Sequence, residues 1–300
     1  MEVFYLYAID MVGTMVGQIR NQRLNPAINL VQEGPGGSVD QHYAAIAGGQ
    51  PAVGFTSSAC AKMIDECGFD GTAITGAAPF NSWWQKGEDG GLRAASGHIK
   101  MSIVQGLIYP LSLRAPHVPP ATIDYNVIAA YDEAVLPIQI TSAALGVAPV
   151  ADELFCAGPV ITAGVEFEGV QDITVNFGIT PEVQSHKGIP WPIYTGIRQR
   201  LPQVVVSFLD ASFLDNIDLD GWMGQSTIYL RKLQEGGTRV PDATTEHIKV
   251  DMAKSMVILG DTTAATPNTA SNTITITPVY DAADPSPPPS IEIDTASALP

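Results

Sequence analysis

The chain has 300 residues, with 15 Lys plus Arg against 31 Asp plus Glu and a formal charge of −16. Charged residues make up 15% and hydrophobic residues 45%, with 28 glycines and 23 prolines, which describes a turn-rich, acidic, folded protein and excludes a disordered one. The acidity argues against sequence-specific DNA binding and against an anionic membrane surface, since both need Lys and Arg to meet phosphate.

In chain order, Met1-Glu2-Val3 lacks the basic start expected of a secretory signal. Val3–Tyr7 reads as a strand. Glu33-Gly34-Pro35-Gly36-Gly37 reads as a hairpin connection, because Gly supplies positive φ. Pro51 opens an alternating strand through Phe55. Ser57 or Ser58 can cap a helix over Ala59–Cys67, with Gly68 at the left-handed C-terminal position. Cys60 with Ile64 and Met63 with Cys67 recur at i, i+4 and give that helix an apolar stripe. Gly87-Glu88-Asp89-Gly90-Gly91 is a second Gly-rich connection, followed by a strand over Ile99–Val104. The Ala-rich stretch 143–151 is too short for a membrane span and is broken by Pro149. Val165-Glu166-Phe167-Glu168 puts both acids on one strand face. Ile173–Ile179 alternates cleanly, the period-2 mark of a half-buried strand. Val204–Leu209, Thr227–Leu230 and Thr273–Thr277 are further strands, and a second helix is expected from Asp210 with Phe213, Leu214 and Ile217 buried. Glu235-Gly236-Gly237 is another hairpin connection, and Pro285–Pro289 is a polyproline loop inserted near the end. The expected fold class is mainly β: two tandem β-sandwich or partial-barrel domains, each with one short flanking α-helix.

The tandem arrangement is read from an internal repeat. Pro51 matches Pro202, Gly71 matches Gly221, Arg93 matches Arg239, His98 matches His247, Tyr131 matches Tyr280 and Ile138 matches Ile291. The spacings are 151, 150, 146, 149, 149 and 153 residues, about half the chain. Two homologous domains are expected, 1–150 and 151–300, carrying net charges of −5 and −11. A single large β domain whose strands happen to rhyme is the alternative.

Catalytic motifs are sparse. There is no phosphate-binding Gly-x-x-x-x-Gly-Lys loop, no Gly-x-Gly-x-x-Gly after a strand and no Gly-x-Ser-x-Gly elbow. The five histidines are well separated, and the equivalent positions of His98 and His247 point to a structural role; no metal site is expected. Asp215–Gly221 resembles the start of a calcium loop, but Thr227 stands where the closing Glu belongs, so a helix end with solvated carboxylates is expected instead. Cys60, Cys67 and Cys156 are too few for a disulfide framework and read as buried thiols in a reducing compartment. Trp83-Trp84 suits either ring stacking on a sugar or base, or contact with a neighbouring subunit; one indole is expected in the core and the other exposed.

Several of these stretches together resemble the tail tube (major tail) proteins of long-tailed bacteriophages. Gly54–Ala59 through Asp65–Gly71 resembles that family's strand, short helix and Gly-ended turn. Gly90–Ile99 resembles its hairpin after the helix, and Tyr131–Ile138 a strand pairing near the domain end. Ile173–Ile179, Trp191-Pro192 and Pro202-Gln203-Val204 resemble the corresponding run in the second half. The resemblance implies a β sandwich or barrel with a flanking helix, six domains closing a ring around a lumen, and rings stacking into the conduit for DNA ejection. It implies no catalytic residue, no cofactor and no membrane. The implied location is the virion tail, made in the host cytoplasm. Implied partners are further copies of the chain, tape measure, terminator and baseplate proteins, and double-stranded DNA that passes without specific binding. Candidate lumen acids are Glu166, Glu168 and Asp172. Candidate ring-stacking loops contain Glu33, Gly36, Gly37, Gly87, Glu88, Asp89 and Gly90, and Trp83 and Trp84 are candidate subunit contacts. Most relatives carry one tube domain per chain, so a duplicated chain implies a trimeric ring with pseudo-six-fold symmetry.

Two other readings stand beside this one. A capsid or decoration protein would also be acidic, β-rich and without an active site. A carbohydrate-active or carbohydrate-binding β protein would use Glu166 and Glu168, which strand rise alone sets about 7 Å apart, as paired carboxylates.

Overall fold

Alternation of apolar and polar residues builds strands such as Ala52–Ser57 and Ser271–Pro278, and the result is mainly β. The computed structural model describes residues 3–11, 13–33, 43–87, 94, 96–147, 149, 152–186, 188–209, 221–263, 271–280 and 290–300. The first half contains β1 (Val3–Met11), β2 (Thr14–Val16), β3 (Ile19–Asn25), β4 (Ile28–Glu33), β5 (Tyr43–Gly49), β6 (Ala52–Ser57), α1 (Cys60–Cys67), β7 (Thr72–Ile74), β8 (Phe80–Gly87), β9 (His98–Ile103), β10 (Gly106–Pro116), β11 (Thr122–Ala129) and β12 (Gln139–Ala143). The second contains β13 (Phe155–Thr162), β14 (Val165–Glu166), β15 (Val170–Asn176), β16 (Ile179–Gln184), β17 (Tyr194–Arg200), β18 (Gln203–Phe208), β19 (Trp222–Lys232), β20 (His247–Thr263), β21 (Ser271–Pro278) and β22 (Glu292–Ser297). The second expected helix, the Asp215–Asp220 stretch and the polyproline loop lie outside the described residues.

Among the described residues all the strand pairings are antiparallel, and the two halves follow one order. In the first half one layer runs β2-β1-β8-β9-β12; in the second, β14-β13-β19-β20-β22. The other layer runs β3-β6-β11-β10, then β15-β18-β21-β20. Each half also carries a separate hairpin, β4–β5 or β16–β17. The registers coincide as well. Ile28 pairs Gly49 and Leu30 pairs Ile46, with a bulge between; Ile179 pairs Arg200 and Pro181 pairs Ile197, with the same bulge, each residue 151 positions on. Positive φ recurs too: Gln18 (56°) and Gly169 (68°), Ala27 (43°) and Gly178 (58°). Ser58 N–H donates to Gln18 O as Leu209 N–H does to Gly169 O, both at 3.1 Å.

The drift in spacing has a local cause. Thr72 pairs Ile108 and Trp222 pairs Val257, so β7 corresponds to the start of β19. Between β7 and β8 the first half carries a small turn closed by a Thr75–Ala78 bridge. The second half has no such turn, so β19 runs straight through, and the spacing falls from 150 to 146 residues.

The layers meet through apolar faces. Phe55 on β6 stacks between Phe80 on β8 and Tyr125 on β11, at centroid distances of 5.7 Å each. Phe167 stacks on Phe208 (5.4 Å) and Trp222 (6.5 Å). One apolar cluster runs through residues of both halves, from Ile9 to Ile291.

Four local expectations are corrected. The alternating run at Ile173 ends at Asn176, because Phe177 N–H bonds Leu111 O (3.1 Å) and the positive φ of Gly178 turns the chain into a new strand. The strand at Val165 ends at Glu166, since Phe167 leaves it to enter the core. No serine side chain caps the end of α1. Ser57 Oγ takes the Ala59 N–H, and the first-turn N–H groups of Ala61 and Lys62 donate to the Glu153 carboxylate at 3.1 and 3.2 Å. At the other end Gly68 donates its N–H to Ile64 O, but its φ of 70° comes with a ψ of 170°, so it ends the helix outside the left-handed helical position expected of it.

Candidate assembly surfaces

The halves join edge to edge. β10 pairs β15 from Ser112–Asn176 through Pro116–Asp172, so β3-β6-β11-β10-β15-β18-β21-β20 forms one eight-stranded run. Its inward residues, such as Val53, Ile123, Leu113, Val175, Val206 and Ile274, are buried. By alternation, its other face carries hydroxyls and amides, among them Thr56, Asn126, Ser112, Thr174, Asn176, Ser207, Thr273 and Thr275, together with apolar residues at Leu107 and Tyr109 on β10 and at Met256 and Ile258 on β20. Charges there are held in place. Asp124 accepts from Thr56 Oγ1 (2.5 Å) and Ser112 Oγ (3.0 Å), and Asp172 accepts from Arg114 Nε (3.1 Å).

The run ends on two open edges. Among the described residues β3 pairs only β6, and the last residues of β20, Leu259–Thr263, pair only β21. These are the counterparts of β15 and β10, the strands that meet at the internal seam. Each end of the run therefore presents backbone N–H and C=O groups in the pattern its counterpart has already satisfied.

The residues singled out in the sequence are dispersed. Glu166 and Glu168 lie exposed at and just after β14, on the other layer, while Asp172 lies at the seam in its ion pair. Glu33 ends β4, and Gly36 and Gly37 lie outside the described residues, as do Glu88, Asp89 and Gly90. Gly87 ends β8 opposite Val3. Trp83 and Trp84 are both half-buried, which corrects the expected core-and-exposed pair. Their indole N–H groups are engaged within the chain: Trp83 donates to Asp10, and Trp84 donates to Gln22 Oε1 (2.8 Å). Lys100 Nζ sits 5.1 Å from the Trp83 ring centroid. Missed in the sequence were the β3 edge and the apolar outer face of β4–β5. The alternation in Ile28-Asn29-Leu30 and its 151-residue match to Ile179 were the available signals.

Several buried polar side chains are tied to the backbone. His98 and His247 are fully buried and accept, through Nδ1, the backbone N–H of Lys86 and Lys232, both at 3.0 Å. The three cysteines are free and buried, and burial pushes each thiol upward in pKa. Glu153 is buried at the start of α1, where desolvation raises its pKa against the opposing N–H bonds from Lys62 and Ala61. Among the described residues no cluster of His, Cys, Asp or Glu is placed to hold a metal ion, and no helix is long and apolar enough to cross a membrane. No family model matches the chain, and no curated protein matches it.

Proposed function

We propose that the chain is two copies of one tube-forming domain and that it polymerises into stacked rings forming the tail tube of a long-tailed bacteriophage. The observation that carries this reading is the β10–β15 seam. Two halves with the same strand order and register join edge to edge, and the same two kinds of edge remain open at the ends. A head-to-tail interface of this kind propagates until a ring closes or a filament grows. With six domains per ring, as the family resemblance implies, three chains close it. Its partners are then copies of itself and the tape measure, terminator and baseplate proteins of the tail. A conduit lined by the hydroxyl-rich face of the long sheet offers DNA few free cations, so the duplex slides without being held. Helical reconstruction of the purified, concentrated protein tests the reading. Stacked annuli of three chains with pseudo-six-fold symmetry are expected. A closed shell would favour a capsid role, and a persistent monomer would sink both.

A further inference from the structure

The interior of the chain already contains a second contact between its halves, separate from the β10–β15 seam. The β16–β17 hairpin folds across the outer face of β10 and β11, where Ile179, Val183 and Ile197 pack on Leu107, Tyr109 and Ile128. That cover is close: Leu107 and Tyr109 are each 4% exposed, and Ile128 is 1% exposed.

Both members of this contact have a counterpart, and among the described residues each counterpart keeps exposed apolar side chains. On the hairpin side, β4–β5 matches β16–β17 residue for residue in register. Its Ile28 and Ile46 stand where Ile179 and Ile197 stand, and they are 46% and 44% exposed, with Leu30 beside them at 60%. On the receiving side, Leu107 pairs Ile128 as Met256 pairs Thr277, and Ala130 N–H bonds Gln105 O as Val279 N–H bonds Lys254 O, 149 residues on. Tyr109 therefore corresponds to Ile258, which is 44% exposed, with Met223 alongside at 51%. A hairpin with apolar residues outward and an apolar sheet face are left at opposite ends of the chain. The contact made within the molecule is matched in part: Ile28 and Ile46 repeat Ile179 and Ile197, and Met256 and Ile258 repeat Leu107 and Tyr109, while Gln32 and Thr277 stand at the positions of Val183 and Ile128. They do not meet in the same chain, because the hairpin follows β3 and the open face lies on β20, the two ends of the eight-stranded run.

We infer that the β4–β5 hairpin of one copy docks on the Met223, Met256 and Ile258 face of a second copy, reproducing the β16–β17 contact between chains. The direction is fixed, since the hairpin follows β3 as β16 follows β15, so edge pairing and hairpin docking engage the same neighbour. The inference rests on the duplication proposed above but not on the tube, because any head-to-tail assembly would use it.

Two blocked variants test it. Ile28→Asp with Ile46→Asp disables the hairpin, and Met256→Asp with Ile258→Asp disables the face; all four side chains are at least partly exposed, and circular dichroism checks that each variant folds. Each variant alone is expected to sediment as a monomer under conditions where the parent chain assembles. Mixed one to one, they retain one good hairpin and one good face, and are expected to form a 1:1 dimer that grows no further. In parallel, a chain carrying Ile46→Cys and Ile258→Cys is expected to give intermolecular disulfide ladders under mild oxidation. Assembly of either blocked variant like the parent, a mixture that stays monomeric, or no ladder would overturn the inference, as would a parent chain monomeric at every concentration. If the parent forms open filaments or shells while the variants behave as expected, the docking stands and the tube reading falls. If tubes form from both variants, the reverse holds.

Discussion

At the level of single residues, the same few interactions are made twice. His98 and His247 each supply an acceptor for a backbone N–H at the mouth of a Gly-rich connection. Removing it strands a donor among buried groups, so His98→Ala and His247→Ala should each cost about 1–3 kcal/mol in chemical denaturation. Gly178 is less replaceable than its counterpart Ala27. A Cβ on Gly178 would lie 1.9 Å from Leu201 O, and its φ is positive, so Gly178→Ala should lower stability by about 2 kcal/mol or more. Glu153 gives a pH signature. Its folded-state pKa is raised, so the folded chain keeps a proton that the unfolded chain has already released. Stability should therefore fall as pH rises through the window just above the ordinary carboxylate value, and Glu153→Gln should remove that component of the slope. A denaturation series across that window with unchanged slope in the variant would contradict the assignment. The histidine pair was legible in the sequence because a spacing of 149 residues matched; Glu153 was not, because its partners lie about 90 residues away on α1.

At the level of elements, alternation told strands from helices wherever one face was buried, as in β6 and β21, whose burial alternates at every residue through the core. It failed where the backbone turned for reasons other than side-chain pattern. At Gly178 the apolar and polar rhythm continues through Ile179 while the chain changes sheet. The seam between halves was equally hidden, because edge pairing is made by main-chain groups that carry no residue code. The Thr75–Ala78 turn is a case where the comparison of halves predicts tolerance. The second half runs through that position as one strand, so deleting Thr75–Ala78 should join β7 to β8 and leave the fold within about 1 kcal/mol of the parent. Loss of cooperative unfolding in that deletion would show that the turn holds the layers together.

At the level of the whole molecule, charge and apolar surface act against each other. Each chain carries −16, distributed as −5 and −11 between halves, so every copy added to an assembly brings like charge toward like. The surfaces proposed to meet a neighbour are not built on ion pairs: the β3 and β20 edges offer main-chain groups, and the hairpin and its proposed receiving face offer Ile, Leu and Met. Salt screens the repulsion over a Debye length of about 10 Å at 0.1 M and about 3 Å at 1 M, while leaving backbone pairing and apolar burial in place. Assembly should therefore start at lower protein concentration as NaCl rises from about 0.02 M to about 0.5 M, and sulfate should promote it further by strengthening apolar burial. An interface carried by intermolecular salt bridges would show the opposite trend. Light scattering at fixed protein concentration across that range separates the two, and assembly that weakens with salt would mean that the neighbouring chains meet through charge rather than through the edge and hairpin surfaces.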